Sequence, residues 1–171
     1  TYMLSKMYGE SICFNYGRLY NIPFTVVRYH NVYGPRMGFL HVIPEMFLKI
    51  RDNSTIDVAS PTHTRAFCYI DDAVTSTILV TEHAATQGEI INIGNQAQEL
   101  TIRELVETIA KVMGKSITIN ELPDTPGSPA RRCPDTSKIK QLTGFEPSVS
   151  LEEGVTTMYA WYKDRLDTRH E

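Results

Sequence analysis

Short runs of β-branched and apolar residues alternate with helix-length stretches along the chain, and this alternation limits the fold more than any other feature. The runs at 23–29 (PFTVVRY), 55–58, 65–70 (RAFCYI), 89–94 (EIINIG) and 116–122 (SITINEL) read as strands. The first is apolar along most of its length, which predicts a buried strand. Residues 2–20 place Met3, Met7, Cys13, Tyr16, Leu19 and Tyr20 at roughly helical spacing, and Asn21-Ile22-Pro23 ends that helix. A helix at 41–51 carries Pro44 in its first turn. Asp71 or Asp72 is expected to cap a helix running to about His83. Thr101 and Glu104 form a capping box ahead of an amphipathic helix at 102–113, which Gly114 stops. A Pro/Gly-rich loop at 123–130, a short helix at 137–142 and a final helix at 151–166 complete the order. The alternation is that of an α/β protein.

The 171 residues suffice for one domain with its own core. Apolar content of 42% and charged content of 22% are those of an ordinary globular protein. A net charge of −3 argues against a nucleic-acid binder, whose footprint is a basic excess. No apolar run approaches a membrane span, and no secretory leader pattern opens the chain. Cys13, Cys68 and Cys133 are odd in number and widely spaced, so neither a disulfide framework nor a zinc site is expected, and a reducing cytoplasm fits. The histidines form no pair at metal-ligand spacing, and no metal is expected.

Four pieces carry chemistry. Tyr2 and Lys6 are four residues apart, on one helical face. A free tyrosine titrates near ~10, too high for a base at neutral pH. A cation about 4 Å away favours the phenolate by roughly 4 kcal/mol, enough to move it toward the range where acid–base catalysis works. Taken alone, the pair also fits an ordinary helix face. The second piece, Arg28-Tyr-His-Asn31-Val-Tyr-Gly34-Pro35-Arg36, ends a strand at a Gly-Pro break. Ligands in open α/β sheets bind at the carboxyl ends of strands, and Asn31 there offers a donor and an acceptor. The third and fourth pieces, Arg65 in Thr64–Asp72 and Arg132 in Arg131–Asp135, supply two separated guanidiniums. Each can fork two oxygens of a diphosphate without losing its charge.

In this order and spacing the four pieces resemble the extended short-chain dehydrogenase/reductase family, and more narrowly its nucleotide-sugar epimerases, dehydratases and decarboxylases. The likeness runs along essentially the whole chain. It takes in INIGN (91–95), TIRELVETIA (101–110), GFEPSVSLEEGV (144–155) and Trp161-Tyr162. It implies an α/β fold that is the C-terminal part of an extended Rossmann-type NAD(P)-binding fold, mostly the substrate-binding subdomain. Residues 1–36 would be a remnant of the NAD-binding domain, and 37–171 the nucleotide-sugar domain. Tyr2 would be the acid/base, and Lys6 would hold the nicotinamide ribose. The backbone at Tyr29 would face the nicotinamide carboxamide. Asn31 would contact the sugar or its phosphate, and His41 and Val42 would line the nucleobase pocket. Arg65 and Arg132 would clamp the diphosphate, with Asp135 at the nucleotide ribose or orienting Arg132. The cofactor implied is NAD, or NADP, and the assembly a homodimer built through helix 2–20.

The chain departs from the family in three ways. His30 stands where relatives usually have an aromatic residue. The turn Ser-Pro-Thr-His-Thr before Arg65 replaces a glycine-rich one. No G-x-x-G-x-x-G turn, where backbone amides meet a cofactor pyrophosphate, occurs anywhere in the sequence. The chain is therefore expected to be the back half of a longer enzyme and to bind NAD weakly by itself. The reaction expected is epimerisation of a UDP-sugar by transient oxidation at C4. A 4,6-dehydratase or UDP-glucuronate decarboxylase is the alternative, and a stand-alone nucleotide-sugar-binding module is the non-enzymatic one.

Overall fold

The computed structural model describes residues 1–166. Helix α1 (Tyr2–Tyr20) ends at Asn21 in the left-handed conformation. Strands β1 (Val26–Tyr29) and β2 (Val32–Tyr33) lead to helix α2 (Val42–Asp52). Strands β3 (Thr55–Ala59), β4 (Thr64–Ala66) and β5 (Cys68–Tyr69) precede helix α3 (Ile70–Glu82). Strands β6 (Ile90–Ile93) and β7 (Glu99–Thr101) lead into helix α4 (Ile102–Val112). Strands β8 (Thr118–Leu122) and β9 (Arg131–Arg132) and helices α5 (Ser137–Thr143) and α6 (Leu151–Tyr162) complete the α/β order. No helix of the described residues is long and apolar enough to cross a membrane.

Three parallel strand pairs, β1–β6, β2–β5 and β3–β8, accompany a three-stranded sheet in the order β7–β4–β9. The main core forms where Phe47 of α2, Leu105 and Ile109 of α4, and Met158 and Tyr162 of α6 meet Ile56 and Val58 of β3. Each such side chain contributes roughly 1.5–3 kcal/mol by leaving water. A second cluster joins Ile91 and Ile93 of β6 to Ala73 and Val80 of α3 and Ile139 of α5. Because β6 pairs with β1, the chain returns from its later half to complete the layer that its first strand begins.

The structure differs from the sequence expectation at several points, among them the final helix, which ends at Tyr162 rather than at 166. The strand expected at 65–70 breaks at Phe67: β4 pairs with β7 and β9, whereas β5 pairs with β2. The buried Phe67 ring is thus the pivot between two sheets. Neither aspartate caps α3, whose N-cap is Tyr69. Asp72 is instead 5% exposed and accepts the backbone N–H groups of Ser148 and Val149. The strand expected to be buried, β1, is only half-buried and becomes exposed at Arg28 and Tyr29, because pairing with β6 at its edge leaves its faces to be covered by other elements. Helix α1 buries no residue, although its apolar residues span more than one face. It is attached by the Glu10–Arg28 ion pair and by an edge-on contact of Phe14 with Phe24.

Candidate active site

The first turn of α1 sets Tyr2 and Lys6 on one face, with the Lys6 Nζ 5.4 Å from the centroid of the Tyr2 ring. Tyr2 is 74% exposed, so its hydroxyl is open to a ligand. A groove of about 900 Å³ runs between α1 and β1 and is lined by Tyr2, Lys6 and Tyr29, with Glu10 and Arg28 further along. The three residues expected at the nicotinamide end therefore share one surface. The Tyr29 side chain reaches to α3, where its hydroxyl lies 2.9 Å from Thr77 Oγ1.

Past the end of β1 the backbone turns sharply. Asn31 takes a left-handed conformation (φ 42), which asparagine tolerates better than most residues. Its Nδ2 donates to Ala66 O at 2.8 Å, and its carbonyl accepts from Cys68 N–H. Asn31 thereby straddles the break at Phe67, with its side chain on Ala66 and its backbone carbonyl on Cys68. Asn31, His41 and Val42 line one cavity of about 240 Å³ together with Tyr33, Met37 and Phe67. Three expected substrate residues, Asn31 after β1 and His41 and Val42 at the start of α2, meet there.

The arginines meet as well. Arg65 on β4 and Arg132 on β9 are register partners in a parallel pair. Burial and the neighbouring Arg132 hold Arg65 below the usual arginine range. Arg65 donates to Thr64 O and to Ser128 Oγ, the latter at 2.8 Å. Arg132 is exposed, and its side chain makes no hydrogen bond or ion pair among the described residues. The adjacent Arg131 is not equivalent. It forks Glu99 with bonds of 2.8 and 2.7 Å, and those bonds, with one from Thr64, hold Glu99 down to about 2. Asp135 does have a local partner: its Oδ1 accepts from Ser137 N–H at 2.8 Å, at the start of α5.

The loop at 123–130 is more than a spacer. Its Ser128 holds Arg65, Thr125 N–H donates to Ser60 Oγ, and Asp124 pairs with the buried His63. Ser60 adopts φ 52 in a turn that lacks glycine, so a side chain here occupies a conformation that favours glycine. Nothing local in the sequence marks Ser128, because its contact spans 63 positions. The three cysteines are free, and burial pushes the Cys68 thiol up to about 12, which suits a core residue.

Residues 1–158 match the family described as GDP-mannose 4,6 dehydratase. The chain belongs to that family. GDP-mannose 4,6 dehydratase-family chains are extended short-chain dehydrogenases/reductases, as the motifs implied. Among curated relatives, UDP-glucuronic acid decarboxylase 3 of Arabidopsis thaliana is 36% identical over 165 residues, covering 95% of this chain and 47% of the relative. Among solved structures, the UDP-glucuronic acid 4-epimerase of Bacillus cereus, in complex with UDP-glucuronic acid and NAD, superposes with a TM-score of 0.84 at 32% identity. That match covers 94% of this family member and 52% of the epimerase. A dTDP-glucose 4,6-dehydratase from Streptomyces venezuelae with NAD bound superposes with a TM-score of 0.85 at 26% identity, covering 99% of this chain and 52% of the other. The chain thus spans about half the length of the relatives it matches.

Proposed function

We propose that the protein carrying this chain is an NAD-dependent epimerase that inverts C4 of a UDP-sugar. The observation that carries the reading is convergence. Tyr2, Lys6 and Tyr29 share one groove, Asn31, His41 and Val42 share one cavity, and Arg65 stands in register with Arg132. In this reading residues 1–36 belong to the cofactor-binding layer and 37–171 to the substrate-binding part.

Tyr2 takes the proton of the sugar C4 hydroxyl and later returns it. Lys6, whose Nζ lies 5.4 Å from the centroid of that ring, donates to the nicotinamide ribose. NAD, when bound, supplies the hydride acceptor. The residues present fit its nicotinamide end through the exposed Tyr2 and Lys6 and the backbone at Tyr29. Asn31 holds the sugar or its phosphate, and His41 and Val42 line the base. Arg65 and Arg132 fork the diphosphate, with Asp135 beside the nucleotide ribose. Because the sugar would be held through its nucleotide, the oxidised sugar could turn its opposite face to the nicotinamide end of the site, where Tyr2 would return the proton.

A second reading is decarboxylation of UDP-glucuronate, favoured by the 36% identity to a UDP-glucuronic acid decarboxylase. Incubation of the protein with NAD and UDP-glucose or UDP-glucuronate, followed by NMR of the products, separates the readings. The C4 epimer supports the first, and loss of carbon dioxide from UDP-glucuronate supports the second. Loss of water from UDP-glucose indicates a 4,6-dehydratase. Tight binding of the nucleotide sugar without any turnover would leave a binding module and overturn the enzymatic reading.

A further inference from the structure

The turn before Arg65 and the loop at 123–130 are tied together by side chains. Thr125 N–H donates to Ser60 Oγ at 2.9 Å, and His63 Nε2 lies 3.3 Å from Asp124 Oδ2. Further along, Thr64 N–H donates to Ala130 O at 2.8 Å. The loop is therefore fastened near both of its ends. Two features of the turn are unfavourable by themselves. Ser60 keeps a side chain at φ 52, and His63 is buried with its Nδ1 unpartnered among the described residues. In each of them, the side-chain polar atom that does meet a partner meets it in the loop.

Between those fastenings the backbone is stiff. Ser128 N–H donates back to Thr125 O at 3.1 Å, and Gly127 takes φ 77. Pro126 followed by a left-handed glycine is the composition of a type II turn: proline presets one dihedral, and glycine meets the positive one without a Cβ. Pro129 then confines Ser128 to extended backbone. Little freedom is left to Ser128, whose Oγ accepts from Arg65 Nη2 at 2.8 Å. Arg65 Nη1 donates to Thr64 O at 2.7 Å. A guanidinium held at both terminal nitrogens has its plane fixed, and further N–H groups remain in that plane for a ligand.

Arg65 needs such a hold. It stands in register with Arg132, and register partners project from the same face of a strand pair. Like charges placed there push the two side chains apart. Holding one of them still in the free protein moves part of the cost of forming the site from binding to folding. We propose that Ser128 is a positioning residue of the diphosphate site: its Oγ holds the Arg65 guanidinium beside Arg132 before a ligand arrives, and the His63–Asp124 contact holds the loop that presents Ser128. This rests on the reading of Arg65 and Arg132 as the clamp on a nucleoside diphosphate.

The test is titration calorimetry of UDP-glucose, and of inorganic pyrophosphate, into the full chain and its variants. Ser128→Ala should weaken binding about threefold to tenfold, because Arg65 is then placed only when the ligand arrives. Ser128→Thr keeps the hydroxyl on an extended residue and should bind within about twofold of the parent. In an Arg65→Ala background, Ser128→Ala should lose nothing further, since a positioning residue acts only through the group it places. Asp124→Ala, at a side chain that is 63% exposed, should weaken binding in the parent and add nothing to Ser128→Ala. A general loosening of the fold would instead give losses that add. Unchanged affinity in Ser128→Ala, or additive losses in either pair, would overturn the inference and leave the nucleotide-sugar reading intact. Failure of both UDP-glucose and inorganic pyrophosphate to bind the parent would overturn both.

Discussion

Arg65 and Arg132 face one another as register partners on the parallel strands β4 and β9. Two guanidiniums held this close repel unless an anion lies between them. Of the two neighbouring arginines on β9, Arg131 already has its anion in Glu99, while the Arg132 side chain has no partner among the described residues. The expected outcome is a split between adjacent positions. Arg132→Ala should weaken UDP or UDP-sugar binding by about 2–3 kcal/mol, the scale of a charge-assisted contact. Arg131→Ala should leave that affinity within about threefold. Calorimetry on both variants checks the assignment, and equal losses would refute it.

Tyr2 and Lys6 make a separate prediction. Tyr2→Phe removes the hydroxyl that moves the proton and keeps the ring, so turnover should vanish while nucleotide-sugar binding stays nearly intact. Lys6→Met should reduce turnover and also weaken NAD binding, because the ammonium serves both the phenol and the ribose. Steady-state kinetics with parallel binding measurements separate the two. Near-normal turnover in Tyr2→Phe would end the catalytic assignment.

What could be read from the sequence was local or periodic. The capping box of Thr101 and Glu104 needs only four residues, and both of its reciprocal bonds form. Asn31 and Arg65 stood out because they border a strand end and a strand start. The pairing of Arg65 with Arg132 was not legible, because β9 is two residues long and has no period to detect. The break at Phe67 was hidden for the opposite reason: RAFCYI is a good strand pattern, and only the competing partners β9 and β2 split it. Asp72 matched a helix cap by position, but α3 begins at Ile70, so Asp72 lies within the first turn and its carboxylate accepts from the 148–149 segment instead.

That contact can be weighed. Asp72 is buried and accepts two backbone N–H groups and the Ser148 hydroxyl. Asp72→Ala would leave those donors without a partner, at a cost of about 2–3 kcal/mol for a charged acceptor and its stranded donors. Asp72→Asn keeps one acceptor oxygen and should lose less. Urea denaturation of both variants tests the order. An Ala variant as stable as the parent would mean that the segment before α6 is held by other contacts.

Glu99 predicts a pH effect. Its folded-state value is held down to about 2 by Arg131 and Thr64, against an ordinary value of 4.5. A carboxylate depressed in the folded state lends stability above its unfolded value and loses it as pH falls through the folded one. The contribution should therefore be complete above about pH 5 and fade between about pH 4.5 and pH 2. Glu99→Gln should lower the melting temperature above about pH 5 and shallow that acid limb, so that parent and variant converge as pH falls toward about 2. Thermal melts across this range, compared between parent and variant, check the sign.

Helix α1 makes the last prediction. Met3 and Met7 lie on one side of the helix and Tyr8, Ile12, Tyr16 and Leu19 on another, and no residue of the helix is buried. One apolar stripe would suffice to pack a helix on its own domain, and scattered single exposures are ordinary. Here Tyr8 is 70% exposed and Leu19 74%, on a helix fastened by one ion pair and one ring contact. The strand beneath it keeps an open edge among the described residues, and such an edge invites pairing. The protein should therefore assemble as a dimer through α1. Light scattering at micromolar concentration should give twice the mass of the chain, and Ile12→Lys with Leu19→Lys should return it toward the monomer while circular dichroism keeps its helical signal. A parent protein that stays monomeric across that range would show that the exposed face is tolerated in water and would remove the case for this interface.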